Sequence, residues 1–285
     1  MPLAVVKHQH IDSLPSPPAL LAGLMRALDD DGASAERLES MISQDQSTTG
    51  LLLSVANSAY YGLRYEVTSV ARAVVVLGLG EVRAICLGSV LAGLLHPRRF
   101  ADPDAAMALW RHSLYTQEAA RLLARRCGGL REDVALTAGL LHDLGWVVIL
   151  VYRPDLWMRL NTWLGEGASL LQAEQRLGFS HQQAGGVLAR QWDLPPLLAT
   201  VMTTHHQPQM GGEHAEAVCL LHLADRLASE LGQGAWAEPE PALPDSWILA
   251  GRGLGPADWD DCRAEFKARA EAMEALYAGL LGGRI

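Results

Sequence analysis

The sequence has little basic charge. It contains 23 Lys and Arg residues against 32 Asp and Glu residues, which gives a formal net charge of −9 and a pI of about 5.5. Proteins that grip nucleic acids usually carry a basic patch or stripe, and no stretch of this chain interleaves basic residues with aromatic ones. We therefore expect no nucleic-acid partner.

Long apolar runs and a secretion signal are also missing. The longest uninterrupted apolar stretch, Trp146 to Tyr152, is about a third of the length that a membrane span needs. The first fifteen residues, MPLAVVKHQHIDSLP, lack the charged region, apolar region and cleavage site of a signal peptide. We therefore expect neither a membrane partner nor secretion.

The cysteines form no recognisable pattern. There are 4 in the chain, at Cys86, Cys127, Cys219 and Cys262, and none belongs to a Cys-x-x-Cys pair. This spacing is not that of a disulfide framework or a thiolate zinc site. Free thiols of this kind are typical of a reducing compartment, so we expect a cytoplasmic protein.

What the sequence does contain is a long series of apolar residues at helical spacing. Hydrophobic residues make up 49% of the chain and charged residues 19%, as in a globular protein with a substantial core. Alternating strand patterns are scarce, so the fold class is predicted to be all-α. We expect short helices in residues 12–100, longer ones in 101–231, and a polar, proline-rich linker with a terminal helix in 232–285.

Several helix ends carry clear capping signals. Asp102 precedes Pro103 at a predicted helix start, and this helix should end at Cys127, before two glycines. Ser180 can cap a helix over residues 181–191. A single helix is predicted from Glu132 to Val151.

Polar residues interrupt the apolar faces of five of these helices. An unpaired polar group on such a face is costly to bury, so each one needs a partner. The residues concerned are five histidines and two aspartates: His112, His142, Asp143, His181, His205, His206 and Asp225.

These residues have two possible explanations. Taken singly, a histidine on an apolar stripe is usually a core residue with one hydrogen-bonded partner. Taken together, several imidazoles and two carboxylates are most easily satisfied by converging on a cation. Such ligands suit iron, manganese, zinc or nickel, and their number allows one or two ions with Asp143 as the bridge. A paired site would activate water for attack on a phosphorus centre.

The order of these residues resembles the HD superfamily of metal-dependent phosphohydrolases, with His142 and Asp143 as the HD pair. The surrounding sequence is most similar to the HDOD domain, a bacterial signalling relative, over residues 12–231. The stretches that carry this resemblance are LPSPPALL, MISQDQSTTGLLLSVANSAYYG, VTSVARAVVVLGLGEVRAICL, WRHSLYTQEAARLLA, AGLLHDLG, LGFSHQQAGGVLARQWDLPP and TTHHQP.

The resemblance implies an N-terminal helical bundle (12–100) packed on an HD-like helical bundle (101–231). HDOD proteins are mostly regarded as regulatory modules without established catalysis. The resemblance therefore implies a signal-transduction module that acts through a protein partner on a separate chain. It gives no indication of the oligomeric state.

A more distant similarity to the HD-GYP cyclic di-GMP phosphodiesterases extends to all seven polar residues, which match metal ligands there. Two differences argue against that activity. Trp146 stands where those enzymes have a lysine thought to meet the substrate phosphate, and QPQMGG follows His206 in place of the GYP motif. Two hypotheses remain: a signalling module whose His/Asp cluster is a structural metal site or a vestige, or an active metal-dependent phosphohydrolase acting on a nucleotide or phosphoester.

Overall fold

The computed structural model describes residues 18–29, 35–96, 100–233 and 246–281, and within these ranges it contains helices and no strands. The predicted all-α fold class is therefore confirmed. The helices are α1 (Ala19–Asp29), α2 (Ala35–Ser43), α3 (Gln46–Ala56), α4 (Val70–Leu77), α5 (Leu79–Leu94), α6 (Pro103–Cys127), α7 (Glu132–Leu141), α8 (Gly145–Tyr152), α9 (Pro154–Gly165), α10 (Leu170–Leu177), α11 (His181–Gln191), α12 (Pro196–Thr204), α13 (Ala215–Ala228), α14 (Ser246–Gly251) and α15 (Pro256–Leu281). Short 3-10 turns at Pro208–Met210 and Gly212–His214 and a π-helical turn at Ser229–Gln233 flank α13.

Helices α1 to α5 form an N-terminal bundle. The carboxylate of Asp45 accepts a hydrogen bond from the Thr48 backbone N–H at 2.7 Å and caps α3, and the Ser69 hydroxyl caps α4 in the same way. Helix α3 packs on α4 and α5, and α5 packs in turn on α6 and α7. The N-terminal bundle thus rests on the second bundle through α5.

Helix α6 is the central helix of the second bundle. The carboxylate of Asp102 caps it by accepting a hydrogen bond from the Ala105 N–H at 3.0 Å, and it ends at Cys127, where Gly128 takes a positive φ of 65°. Both ends agree with the sequence prediction. Helices α7, α13 and α15 pack around it. The side chains of Leu109 and His112 are therefore buried in the core.

The predicted single helix from Glu132 to Val151 is wrong, because α7 and α8 are separated by a turn at residues 142–144. The backbone there makes tighter hydrogen bonds, from Leu144 N–H to the Leu141 carbonyl at 3.1 Å and from Trp146 N–H to the Asp143 carbonyl at 3.0 Å. Both halves are buried and apolar, so periodicity gives no sign of the break.

Residues 132–152 together have the length and hydropathy of a membrane span, although no uninterrupted apolar run in them does. In the fold, 89% of its apolar 18-residue window is buried, as in the core helix of a globular protein. The turn at 142–144 also divides it in two. We read this stretch as part of the protein core.

Helices α9 and α10 were not predicted from the sequence. The Trp157 indole N–H of α9 donates to the Asp102 carboxylate at 2.8 Å, and a capping box formed by Ser169 and Gln172 begins α10. A second capping box, formed by Ser180 and Gln183, begins α11 at the predicted residue.

A network of ionic groups, buried at Arg121 and Glu118, connects the two bundles to the terminal helix. Arg121 donates to Glu81 at 2.8 Å and also pairs with Glu118, which in turn accepts from Arg269 at 3.0 Å. These four residues belong to α5, α6 and α15. Helix α15 is thus an integral part of the fold, and its Trp259 and Phe266 are fully buried. Residues 12–17, 97–99 and 234–245, next to or within the predicted domain boundaries and linker, lie outside the described ranges.

Candidate metal centre

The structure brings all seven predicted residues together. His112 lies on α6, His142 and Asp143 in the turn between α7 and α8, and Asp225 on α13. His181 is the first residue of α11, and His205 and His206 follow the end of α12. Six of these side chains are buried, and that of His206 is 33% exposed.

The seven residues form two groups that meet at Asp143. The first group consists of His112, His142 and Asp225. Nε2 of His112 lies 3.3 Å from Nε2 of His142 and 3.1 Å from Oδ1 of Asp225. Oδ2 of Asp143 faces this group, at 3.6 Å from His112 Nε2 and 3.5 Å from His142 Nε2.

The second group consists of His181, His205 and His206. Nε2 of His181 lies 3.2 Å from Nε2 of His205, and Oδ1 of Asp143 is 3.4 Å from both nitrogens. Each oxygen of Asp143 thus faces a different group. This is the arrangement that a carboxylate bridging two ions requires.

Hydrogen bonds behind the rings determine where the imidazole lone pairs point. Nδ1 of His142 donates to the Gly139 carbonyl at 2.8 Å, and Nδ1 of His205 donates to the Val201 carbonyl at 3.0 Å. A carbonyl only accepts, so in the neutral rings Nε2 carries the lone pair. Nδ1 of His181 is likewise directed at the Glu174 carboxylate, at 2.7 Å. Nε2 of His181 therefore faces Nε2 of His205 at 3.2 Å. Because two lone pairs repel each other at this distance, a proton or a cation must lie between them.

The geometry fits divalent metal ions. Most neighbouring donor atoms lie 3.1–3.6 Å apart, which is the separation expected of ligands about 2.0–2.2 Å from a shared ion. Oδ1 of Asp143 is buried and has no hydrogen-bond partner among the described residues, so a cation would satisfy it. Imidazole and carboxylate without thiolate suit iron, manganese, zinc or nickel.

Burial and nearby charge shift the pKa values of the candidate ligands in opposite directions. Burial lowers the pKa of His142 to about 4, so this ring is neutral at pH 7. Burial by itself raises the pKa of Asp143 and Asp225, but the surrounding histidines outweigh it and hold both values below the ordinary one. For His181, burial lowers the pKa, but Glu174 and Asp143 outweigh it and raise the value to about 8.

Metal binding is expected to weaken as the pH falls below about 8. His181 then holds a proton on Nε2, and the ion must displace it, which lowers affinity by about tenfold per pH unit. His142, with a pKa of about 4, releases no proton in this range. Competition with a chelator between about pH 6 and about pH 9 measures this dependence. Constant affinity between about pH 6 and about pH 8 would contradict the assignment of His181 as a ligand.

Glu174 is the residue of this site that the sequence analysis missed. Its Oε1 accepts hydrogen bonds from both the backbone N–H and Nδ1 of His181, each at 2.7 Å, and its side chain is buried. A signal was present, because Glu174 falls on the helical stripe of Leu170, Ala173 and Leu177. An acidic residue on an apolar stripe indicates a buried partner.

Trp146 covers one face of the second group. Its indole is fully buried and stacks on the His181 ring, with the centroids 4.9 Å apart and the planes at 12°. Trp157 packs against the indole edge-on. The His181 ring is therefore shielded by apolar surface on this side, and the exposed edge of the centre is the one at His206.

A family model of the HDOD domain matches residues 14–208 of this chain. The chain belongs to the HDOD family. The sequence resemblance is thereby confirmed, whereas metal binding by the seven residues stays a prediction.

Solved structures share the HDOD fold over most of the chain. An HDOD domain protein of unknown function from Geobacter sulfurreducens is 26% identical, with a TM-score of 0.78, and the match covers 92% of this chain and 94% of that one. A candidate phosphohydrolase from Shewanella amazonensis SB2B is 23% identical, with a TM-score of 0.72, over 94% and 96% of the two chains. A candidate signal transduction protein from Marinobacter aquaeolei VT8 is 22% identical, with a TM-score of 0.77, over 94% and 60%. The last two likenesses concern the fold alone.

Among curated proteins, an uncharacterized protein from Treponema pallidum (strain Nichols) is 28% identical over 239 residues. The match covers 78% of this chain and 44% of that protein. The chain thus spans less than half the length of this relative.

Proposed function

We propose that this HDOD chain is a metal-binding signalling module. Its His/Asp cluster holds one or two divalent ions as part of the folded structure, and the module acts through a protein partner on a separate chain. The observation that carries the proposal is the convergence of imidazole Nε2 atoms on the two oxygens of Asp143, with the partners of Nδ1 directing the lone pairs of His142, His181 and His205 inward.

The burial of the cluster favours a structural and regulatory role for the metal. His112, His142, His181 and His205 are all at most 2% exposed, and Trp146 closes one side. A divalent ion bound here would supply positive charge that compensates the buried carboxylates. The ligands come from α6, α11, α13 and the segments beside α7 and α12, so occupancy would hold these helices in one arrangement. A partner protein can recognise that arrangement by binding to the surface that these helices form.

An active metal-dependent phosphohydrolase is the second candidate. It is favoured by the bridging position of Asp143 between two ligand groups and by the partly exposed edge at His206. Two ions that share a carboxylate are a common arrangement in hydrolysis of phosphoesters. The buried indole of Trp146 supplies no positive charge for a phosphate group on its side of the centre.

Metal analysis and hydrolysis assays test the proposal together. Elemental mass spectrometry of the purified protein is expected to find near-stoichiometric iron, manganese, zinc or nickel, which is lost in a variant with His142→Ala and Asp143→Ala. Loaded with each metal, the wild type should hydrolyse p-nitrophenyl phosphate and bis-p-nitrophenyl phosphate no faster than this double variant.

Each outcome has a separate meaning. Hydrolysis that requires His142 and Asp143 would overturn the signalling proposal in favour of the phosphohydrolase. A wild type that stays folded and metal-free after incubation with all four ions would contradict both candidates. Should metal be present without hydrolysis, a partner is expected to bind the loaded wild type and not the double variant.

A further inference from the structure

We infer that the two ligand groups are unequal: the first retains its ion, whereas the second binds an exchangeable ion whose retention depends on Glu174. This inference rests on the proposed function, because it presupposes metal binding. It adds that the module responds to the supply of divalent metal, through binding or loss of the ion at the second group. Glu174 is a positioning residue for His181 and contacts no ion itself.

The first argument is the charge of the ligands. The first group has a carboxylate of its own, Asp225, in addition to its share of Asp143. The second group has three imidazoles and shares Asp143, and Asp225 approaches it only at His206, with Oδ2 at 3.5 Å from Nδ1. An ion at the second group therefore has less of its charge neutralised by direct ligands.

Glu174 compensates for the smaller carboxylate charge at the second group, through its hydrogen bond to the far side of the His181 ring. Within the described residues, both hydrogen bonds that its carboxylate accepts come from His181, one from the backbone N–H and one from Nδ1. The carboxylate fixes the orientation of the ring and, through Nδ1, makes Nε2 a stronger donor. Since Glu174 is 5% exposed, its negative charge is only weakly screened by solvent.

The second argument is access. The side chains of the first group are 0–10% exposed, whereas the His206 side chain of the second group is 33% exposed. Water and competing chelators can thus approach the second ion from the His206 edge. An ion with weaker charge compensation and an exposed ligand leaves more readily than one whose ligands are all buried.

The second group also connects different helices from those that the first group connects. Its ligands join the start of α11 to the end of α12, and Glu174 extends the connection to α10. Exchange at this group would alter the α10–α12 region and leave the joint of α6, α7 and α13 held by the first ion. The concentration of free metal would then determine the arrangement of one part of the surface.

Titration of the metal-free, full-length protein with Co²⁺ tests the inference, because Co²⁺ in such sites is visible by its absorption spectrum. The wild type is expected to bind two ions in two separate steps. Glu174→Gln keeps an oxygen that accepts from His181 but removes the charge, so the second step should weaken by about 10- to 100-fold with the first unchanged. Glu166→Gln, an exposed position in the loop before α10, is the matched control and should behave as the wild type.

The outcomes separate the inference from the proposed function. Absence of any Co²⁺ binding would contradict the proposed function itself. Two ions that bind with equal affinity, or a Glu174→Gln variant that keeps both steps or loses both while folded, would overturn the inference alone. Should Glu174→Gln fail to fold, His206→Ala removes the exposed ligand instead and is expected to weaken the second step only.

Discussion

Asp143→Asn is expected to abolish binding of both metal ions and, with it, the stabilisation that metal provides. Each oxygen of Asp143 faces one ligand group, at 3.4–3.6 Å from the histidine Nε2 atoms. The amide has no negative charge and turns one of these oxygens into an N–H donor, which cannot bind a cation. Because the bridge serves both groups, one substitution should empty both.

The size of this effect follows from linkage between binding and folding. Free metal at about 100 times the dissociation constant stabilises a protein by about 2.7 kcal/mol per site. For a chain of this length, that corresponds to a rise in melting temperature of roughly 5–10 °C. We expect the wild type to show this rise when metal is added to the chelator-treated protein, and Asp143→Asn to show none.

The control for Asp143→Asn is Asp260→Asn, the same change at a side chain that is 69% exposed. This variant should keep the full metal-dependent rise in a thermal unfolding experiment. Asp143→Asn should still fold, because its amide N–H can donate to a neighbouring imidazole lone pair. A rise for Asp143→Asn as large as that of the wild type would show that Asp143 does not bridge the ions.

Gly145→Ala is expected to destabilise the metal-free protein by about 3 kcal/mol or more. A Cβ at this position would lie 1.9 Å from the His181 carbonyl oxygen and 2.6 Å from the Gly185 backbone nitrogen. Both atoms belong to the backbone of α11, so no side-chain rotation relieves the collision. Helices α8 and α11 must separate, which also displaces His181 from the second ligand group.

Gly50→Ala provides the comparison for this substitution. Gly50 lies inside α3, and a Cβ there meets nothing within 4 Å. Alanine should therefore stabilise the protein by about 0.5–1 kcal/mol through its higher helix propensity. Urea unfolding of the chelator-treated proteins measures both changes. A Gly145→Ala variant within 0.5 kcal/mol of the wild type would mean that α8 and α11 do not pack as closely as described.

Together the two substitutions separate loss of ligand from loss of structure. Asp143→Asn should remove metal binding, and its loss of metal-free stability should be limited to the attraction between the Asp143 carboxylate and the neighbouring histidines. Gly145→Ala should lower the metal-free stability and, because His181 moves, impair the second ligand group in particular. The two results would show that the centre depends both on its ligands and on the close contact of α8 with α11.

Local signals in the sequence were sufficient for the ends of α6, for the start of α11 and for the list of candidate ligands. The ends of α6 follow from Asp102, Pro103 and the glycines after Cys127, and the start of α11 follows from Ser180, because capping involves residues close in sequence. The seven polar residues stood out because each interrupts an apolar stripe. Burying them separately would be costly, so their convergence could be inferred without coordinates.

The tertiary structure alone decided how these residues are arranged. The turn at residues 142–144 was missed because a buried helix and a buried turn have the same apolar composition. The requirement for Gly145 becomes evident only when the His181 carbonyl of another helix is placed against it. The division of the ligands into two groups on opposite oxygens of Asp143, and the role of Glu174 behind His181, likewise depend on distances between helices far apart in the chain. The sequence determines which polar side chains in the core need a hydrogen-bonding or charged partner. The packing of the helices determines which partner each of them meets.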